Sequence, residues 1–243
     1  MVDSATDRFT TPLYNEREAA LYLGVPASTF GSWAKGYVRR FPDRPQVRRA
    51  PVVTRLETHR RGDACIPFVG LAEGLVLAAV RRSGVPLQRI RPALERLQAE
   101  IGLEHALASR QLFTDGAELL YDFAQRSGDS LAGQSARQLV VIRNNQRVFN
   151  EVIEGYLLRV EFAPDGYAQV IRLPGYTGAD VIADPRRSFG QPVFARGGAR
   201  VEDVLGLFRS GESLSTVSQE FGVPVEQLED ALRVATSVGL AAA

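Results

Sequence analysis

Cysteine is almost missing from this chain. Cys65 stands alone among 243 residues, which excludes an intrachain disulfide and leaves a thiolate metal site dependent on other ligand types or on a second chain. Histidine is nearly as scarce. His59 and His105 fall in different parts of the chain, no Ser/His/Asp set surrounds either, and no paired carboxylates stand in contrasting settings. The sequence therefore reads as a non-enzyme with no cofactor and no metal. No apolar run approaches the roughly twenty residues that span a bilayer, and MVDSATDRFTTP lacks the basic and apolar regions of a signal peptide, so a cytoplasmic location is expected. Neither sign of charge dominates: 29 Lys and Arg oppose 28 Asp and Glu for a net charge of +1, so what matters is where the charges sit.

What is present begins with LYNEREAALYLGVPASTFGSWAKG, residues 13–36. Asn15 is placed to cap a helix carrying Ala19, Ala20 and Leu23 on one face, Gly24-Val25-Pro26 makes a tight turn, and a second short helix starts near Ser28 and Thr29. That is a helix-turn-helix pattern. Phe30 and Trp33, three apart, point inward; Ser28, Thr29, Ser32 and Lys35 are left outward, where such a helix meets a DNA groove. An ordinary helical hairpin would share the same spacing.

Charge then concentrates. Residues 8–68 hold eleven basic side chains (Arg8, Arg17, Lys35, Arg39, Arg40, Arg44, Arg48, Arg49, Arg55, Arg60, Arg61) against five acidic ones (Glu16, Glu18, Asp43, Glu57, Asp63). From Tyr37 to Val69 the helical period disappears and Pro and Gly punctuate short β-like runs such as Val52-Val53-Thr54 and Ile66-Pro67-Phe68, which reads as a basic wing. Arginine forks suit phosphate oxygens, and each phosphate neutralised releases counterions, so Arg39, Arg40, Arg48, Arg49, Arg60 and Arg61 are candidate phosphate contacts. A solvated basic loop is the alternative for any one of them. Helical periodicity returns over residues 71–101, with Leu75, Ala78 and Ala79 on one helix and Leu87, Ile90, Leu94, Leu97 and Ile101 on the next, broken by Gly84-Val85-Pro86.

This succession resembles the winged DNA-binding domain of the MerR family over roughly residues 12–101. Many members of that family carry Arg directly after the Thr-aliphatic pair of the recognition helix; here Gly31 follows Thr29-Phe30, and the dimer helix ends early, near Gly102.

Residues 103–176 change character. LFTDGAELLYDF and RVEFAPDGYAQVIRL each offer two β-like runs joined by Asp-Gly, at Asp115-Gly116 and Asp165-Gly166, a pair that favours tight hairpins. Between them, RQLVVIRNN reads as a strand and VFNEVIEGYLL as a helix with Val148, Val152 and Leu158 roughly on one side. Tyr156, Phe162 and Tyr167 could line a ligand pocket or simply form core.

After Tyr176, turns at Asp184-Pro185 and Gly190-Gln191-Pro192 precede three amphipathic helices, Val201 to Phe208, Leu214 to Phe221 and Val225 to Val234, the second capped by Ser213. Phe189 and Phe194, flanking the second turn, are expected to be buried. Glu226, Glu229 and Asp230 are expected on the exposed side of the last helix, which favours protein over DNA there. The residues Ile182-Ala183-Asp184-Pro185, Phe189-Gly190-Gln191-Pro192-Val193-Phe194 and Arg200-Val201, ahead of a helical unit that reaches a Phe-Gly-Val turn at residue 221, strongly resemble a small domain of formerly unknown function in prokaryotic antitoxin-like proteins, from about residue 179 to 236.

With the MerR-like head, the whole resembles a large VapB-type antitoxin of a type II system. What the resemblance implies is a chain that binds its operator duplex, regulates its own operon and neutralises a PIN-domain ribonuclease toxin. Arg186, Arg187, Arg196 and Arg200 are candidates to bury the acidic pocket of such a nuclease; Arg187 or Arg200 could instead pair internally with Asp184 or Asp203. The fold expected is α+β, mainly α: a winged helix-turn-helix at 1–102, a small module of β-hairpins plus helix at 103–176, and a C-terminal trihelical, helix-turn-helix-like domain at 177–243. A homodimer, paired through Arg91 to Ile101 or the middle module, would supply two half-sites. The rival reading is a MerR-like transcriptional regulator whose middle module senses a ligand.

Overall fold

The computed structural model describes residues 8–40, 46–60, 62–143 and 146–240. They group into two compact units: Met1–Pro51, Arg55–Phe68 and Val170–Ala243 form one, Val52–Thr54 and Val69–Gln169 the other.

The first unit opens with α1 (Glu16–Tyr22) and α2 (Ala27–Lys35), followed by a two-stranded antiparallel hairpin of β1 (Tyr37–Arg39) and β2 (Val47–Arg49) in which Tyr37 stands opposite Arg49. The β-like run at Val52-Val53-Thr54 forms no strand, and Ile66 contributes a single antiparallel bridge to Tyr14.

The second unit begins within α3 (Phe68–Arg82), where Leu71, Leu75, Leu77 and Val80 are all buried, so the helix hides more than one stripe. α4 (Leu87–Ile101) buries Ile90, Leu94, Leu97 and Ile101 and ends on Gly102 in the left-handed region. It packs with α5 (Arg110–Arg126) and α6 (Leu131–Arg137). Then come the hairpin β3 (Val140–Arg143) and β4 (Gln146–Phe149), α7 (Glu151–Leu157) and β5 (Val160–Phe162).

Two expectations for this stretch are corrected. Asp115-Gly116 lies inside α5 and makes no hairpin, because Leu112, Ala117, Leu120 and Ala124 bury at helical spacing and Ser109 caps the helix at Leu112 N–H. Gly116 is there for closeness: a Cβ would stand 3.0 Å from both Leu112 Cδ1 and Phe149 Cζ. Val148 lies in β4, and α7 starts only after Asn150, whose side chain accepts from Ile153 N–H. The hairpin turn at Asp165-Gly166 does form, with Gly166 at φ 85° and the Asp165 carboxylate accepting from Tyr167 N–H.

His105 sits in this unit as a structural group. Its Nδ1 is 3.0 Å from Glu73 Oε1, and Glu73 also accepts from the N–H and hydroxyl of Thr54. Burial alone would lower the imidazole pKa, but the hydrogen bond and charge of Glu73, with Glu104 adding, raise it on balance. A raised folded-state pKa contributes stability that is fully present below the unfolded value, about 6.5, and is lost as pH rises through the folded value. The urea midpoint should therefore fall as pH rises past neutrality, and His105→Gln should flatten the curve in that window. An unchanged pH profile in the variant would contradict this account.

The chain returns to the first unit along β6 (Ala168–Arg172), which pairs antiparallel with β7 (Val181–Ala183), itself paired with β8 (Val193–Phe194); α8 (Val201–Arg209), α9 (Leu214–Phe221) and α10 (Val225–Leu240) follow. Ser213 caps α9 at Thr216 N–H.

Long-range contacts explain why both ends of the chain share a unit. The Tyr14 hydroxyl donates to Gly190 O at 2.7 Å, and Gly175 N–H donates to Tyr22 O at 2.8 Å. Asp230, expected on the exposed face of α10, is 3% exposed and accepts from the N–H groups of Gly178 and Ala179. A carboxylate can be buried there because its oxygens receive donors from a loop that the α10 sequence gives no hint of.

Candidate nucleic-acid interface

The helix-turn-helix is built by local chemistry. Asn15 accepts from the N–H groups of Arg17 and Glu18, and the Glu18 carboxylate receives Asn15 N–H at 2.8 Å, a complete capping box. Gly24, at φ 64°, lets the chain turn, with Val25 N–H reaching back to Ala20 O. α2 then buries Phe30 and Trp33, whose ring centroids are 6.1 Å apart. Ser28 and Lys35 are exposed, while Thr29 and Ser32 are half-buried. The Ser32 hydroxyl donates to Thr29 O at 2.7 Å, which leaves it an acceptor toward solvent.

Beside this helix lies an open cleft of about 860 Å³ lined by Arg17, Lys35, Arg55, His59, Arg60, Glu16 and Asp63, among others. The lining sets four cations, Arg17, Lys35, Arg55 and Arg60, against two carboxylates, Glu16 and Asp63. Its centre is Glu16, which holds Lys35 Nζ at 2.7 Å and Arg55 Nε at 3.3 Å. Gly31 gives that carboxylate room: a Cβ there would come within 3.3 Å of Glu16 Oε2. Gly31, which follows Thr29-Phe30, thus faces the ion-pair cluster around Glu16. Cys65 also borders the cleft; it is buried, and burial pushes its thiol pKa up, which disfavours the thiolate.

The hairpin carries the second basic group. Gly36 has to be glycine, because a Cβ would stand 2.2 Å from Arg49 O. Arg40, Arg48 and Arg49 are exposed. Cross-strand pairing sets Arg49 beside Tyr37 and Arg48 beside Val38, so the two arginines point to opposite faces of the ribbon. The backbone of Arg39 lies in β1, and Arg61 lies outside the described residues. Of the sequence candidates, then, Lys35 and Arg60 share the cleft and Arg40, Arg48 and Arg49 share the hairpin. Sequence reading missed Arg17 and Arg55 as cleft residues and Glu16 as their hub. The i, i+19 approach of Glu16 and Lys35 depends on the angle between two helices, which spacing does not encode.

The C-terminal arginines are placed differently. Arg186 is folded onto Asp184, with its Nε 3.2 Å from Oδ1, and Asp184 is buried. Arg200 is 3.8 Å from Asp203, a weak surface pair. Arg187 and Arg196 are exposed. Phe194 is buried as expected, but Phe189 is 85% exposed, which corrects its reading as a core residue. Its own backbone causes this: Ser188 and Phe189 both take left-handed φ values, 49° and 53°, which turn the ring outward. In the second unit, Tyr156 accepts from Arg82 Nε at 3.1 Å, Phe162 stacks edge-on with Phe113 at 4.5 Å, and Tyr167 donates to Glu104 O, so the three aromatics have separate structural partners.

Comparison with known proteins adds the following. Residues 12–94 match a family described as "Putative DNA-binding HTH domain", and residues 181–235 match one described as "Protein of unknown function (DUF433)". A protein of Mycobacterium tuberculosis named "Putative antitoxin VapB45" is 49% identical over 93% of this chain and 94% of its own length. From the same organism, "Uncharacterized protein Rv2308" is 28% identical over 94% of this chain and 92% of its own. The crystal structure of Rv2018 from Mycobacterium tuberculosis superposes with a TM-score of 0.80 at 47% identity, covering 93% of this chain and 99% of that one. No helix among the described residues is long and apolar enough to cross a membrane.

Proposed function

Because the chain belongs to the family of the protein named "Putative antitoxin VapB45" and carries an N-terminal helix-turn-helix DNA-binding domain, we propose that it is the antitoxin of a type II toxin–antitoxin system. On this reading the MerR-like winged head binds the operator of its own operon, and the C-terminal part neutralises a PIN-domain ribonuclease. The observation that carries it is a helix-turn-helix whose outward face adjoins a cationic cleft and a basic hairpin, in a member of an antitoxin family. Ser28 and Thr29 would read bases. Ser32 would accept a hydrogen bond there, and Lys35, Arg39, Arg40, Arg48, Arg49, Arg60 and Arg61 would meet phosphates. Arg186, Arg187, Arg196 and Arg200 would face the toxin. Work of this kind needs binding surfaces and no reacting group, so the protein is non-catalytic, acts in the cytoplasm, and presents two heads as a homodimer. The three sequence modules, 1–102, 103–176 and 177–243, are proposed as the domains that divide this work.

Glu16 sets a limit on the cleft. Its carboxylate pairs with Lys35 and Arg55 and so weakens what either cation offers to phosphate. Glu16→Gln should therefore tighten duplex binding several-fold and steepen the salt slope by about one for each cation released. The capping box, made by Asn15 and Glu18, is left intact. A mobility-shift titration in which the variant binds more weakly than wild type would contradict this role. The broader reading is tested by co-purification: the chain and the protein encoded beside it should elute as one complex that still shifts the upstream DNA. Separate elution of the two would count against it.

A further inference from the structure

The turn that carries Phe189 is organised more tightly than an exposed loop needs to be. Arg187 N–H donates to Asp184 O, Gly190 N–H to Arg187 O at 3.0 Å and Gln191 N–H to Ser188 O at 3.0 Å, while the Tyr14 hydroxyl holds Gly190 O from outside. Gly190, at φ 75°, is pinned, because a Cβ would lie 2.9 Å from both Leu13 Cδ1 and the Tyr14 hydroxyl. Within this frame Ser188 and Phe189 sit at φ 49° and 53°, a conformation that aromatic residues rarely adopt and that Asn or Gly would accept without strain. Burial does not repay the strain, since the ring is 85% exposed. A rigid, strained turn that keeps a bare aromatic in solvent is an arrangement found where function requires it.

The charges nearby specify the kind of partner. Between residues 184 and 200 stand Arg186, Arg187, Arg196 and Arg200 against Asp184 alone, and Asp184 is buried against Arg186. An exposed aromatic with exposed arginines close by in sequence, Arg187 and Arg196 among them, has the composition enriched at the centres of protein interfaces. Exposed Glu202 and Asp203 follow directly, with Arg200 3.8 Å from Asp203, and such mixed charge suits a protein surface better than a phosphate backbone.

We infer that Phe189 is the apolar anchor of a docking surface for a protein whose site joins an apolar recess to a carboxylate rim, with Arg187 and Arg196 meeting the rim. This rests on the antitoxin reading, under which the partner is the ribonuclease.

The test uses the full chain and the purified ribonuclease encoded beside it, with Phe189→Asn as the principal variant. Asn relieves the left-handed backbone, so the melting temperature should be equal or higher, which separates anchoring from folding. Affinity for the ribonuclease should drop about 30-fold or more, the loss typical of a central aromatic, while affinity for the upstream duplex stays within about twofold of wild type. Arg187→Glu should lower the association rate and its dependence on salt. Ribonuclease binding within about threefold of wild type in Phe189→Asn would overturn the anchor and leave the antitoxin reading standing. Loss of duplex affinity with ribonuclease binding kept would make the ring a nucleic-acid wedge and overturn the inference. A wild-type chain that fails to bind the ribonuclease would remove the antitoxin reading, and the anchor with it.

Discussion

Raising salt from about 50 to 200 mM should weaken binding of the upstream duplex about 100-fold per head, and more in a dimer, if about four arginines per head meet phosphate. Arg40, Arg48, Arg49 and Arg60 all stand in solvent, whereas Lys35 and Arg55 are tied to Glu16. Replacing both Arg48 and Arg49 with Ala should reduce the slope of log affinity against log salt by about one to two and weaken all sequences alike. Arg48→Ala and Arg49→Ala should each lower the slope by part of that amount, because the two side chains leave opposite faces of the ribbon and so meet different phosphates. Thr29→Ala, by contrast, should change the preferred sequence with little effect on the slope. A double variant that keeps the wild-type slope, or no salt dependence at all, would show that the hairpin is not the phosphate-contacting element.

The largest effect on stability is expected from Phe194→Ala, a loss of about 3 to 5 kcal/mol, which is a large part of the roughly 5 to 15 kcal/mol that holds a domain folded. Phe194 is 0% exposed in β8, opposite Val181, and its N–H bonds to Ala199 O at 2.9 Å. Because the same unit contains α1 and α2, with Tyr14 bonded to Gly190 and Tyr22 to Gly175, the damage should reach the DNA-binding head. Thermal unfolding followed by circular dichroism should show a lower midpoint, and duplex binding should disappear over the same temperatures. Phe189→Ala should change the stability by no more than about 0.5 kcal/mol, as exposed substitutions generally do. A Phe194→Ala chain that binds DNA normally while its C-terminal part melts would show that the head folds independently.

These two phenylalanines also mark what a sequence can and cannot reveal. Local rules found the Asn15 cap, the inward pair Phe30 and Trp33, the Asp165-Gly166 turn and the Ser213 cap, each decided within a few residues. They failed where distant partners decide. Asp115-Gly116 has the composition of a hairpin turn, yet packing of Gly116 against Phe149 keeps it helical. Asp230 has the pattern of an exposed helical acid, yet two N–H groups from Gly178 and Ala179 bury it. Phe189 and Phe194 are equally hydrophobic, and only the backbone of the intervening turn separates core from surface. In the site, the arginines could be counted from sequence, but Glu16 as their hub could not, since its role depends on how two helices meet.

Whether this chain is an antitoxin is decided by growth. The protein encoded beside it is induced in a heterologous host with and without the full chain, with both proteins followed by immunoblot. The account predicts arrest with the neighbour alone and restored growth with the pair. Arrest that persists while both proteins accumulate would contradict it, and would leave the helix-turn-helix as part of a regulator with no toxin to neutralise.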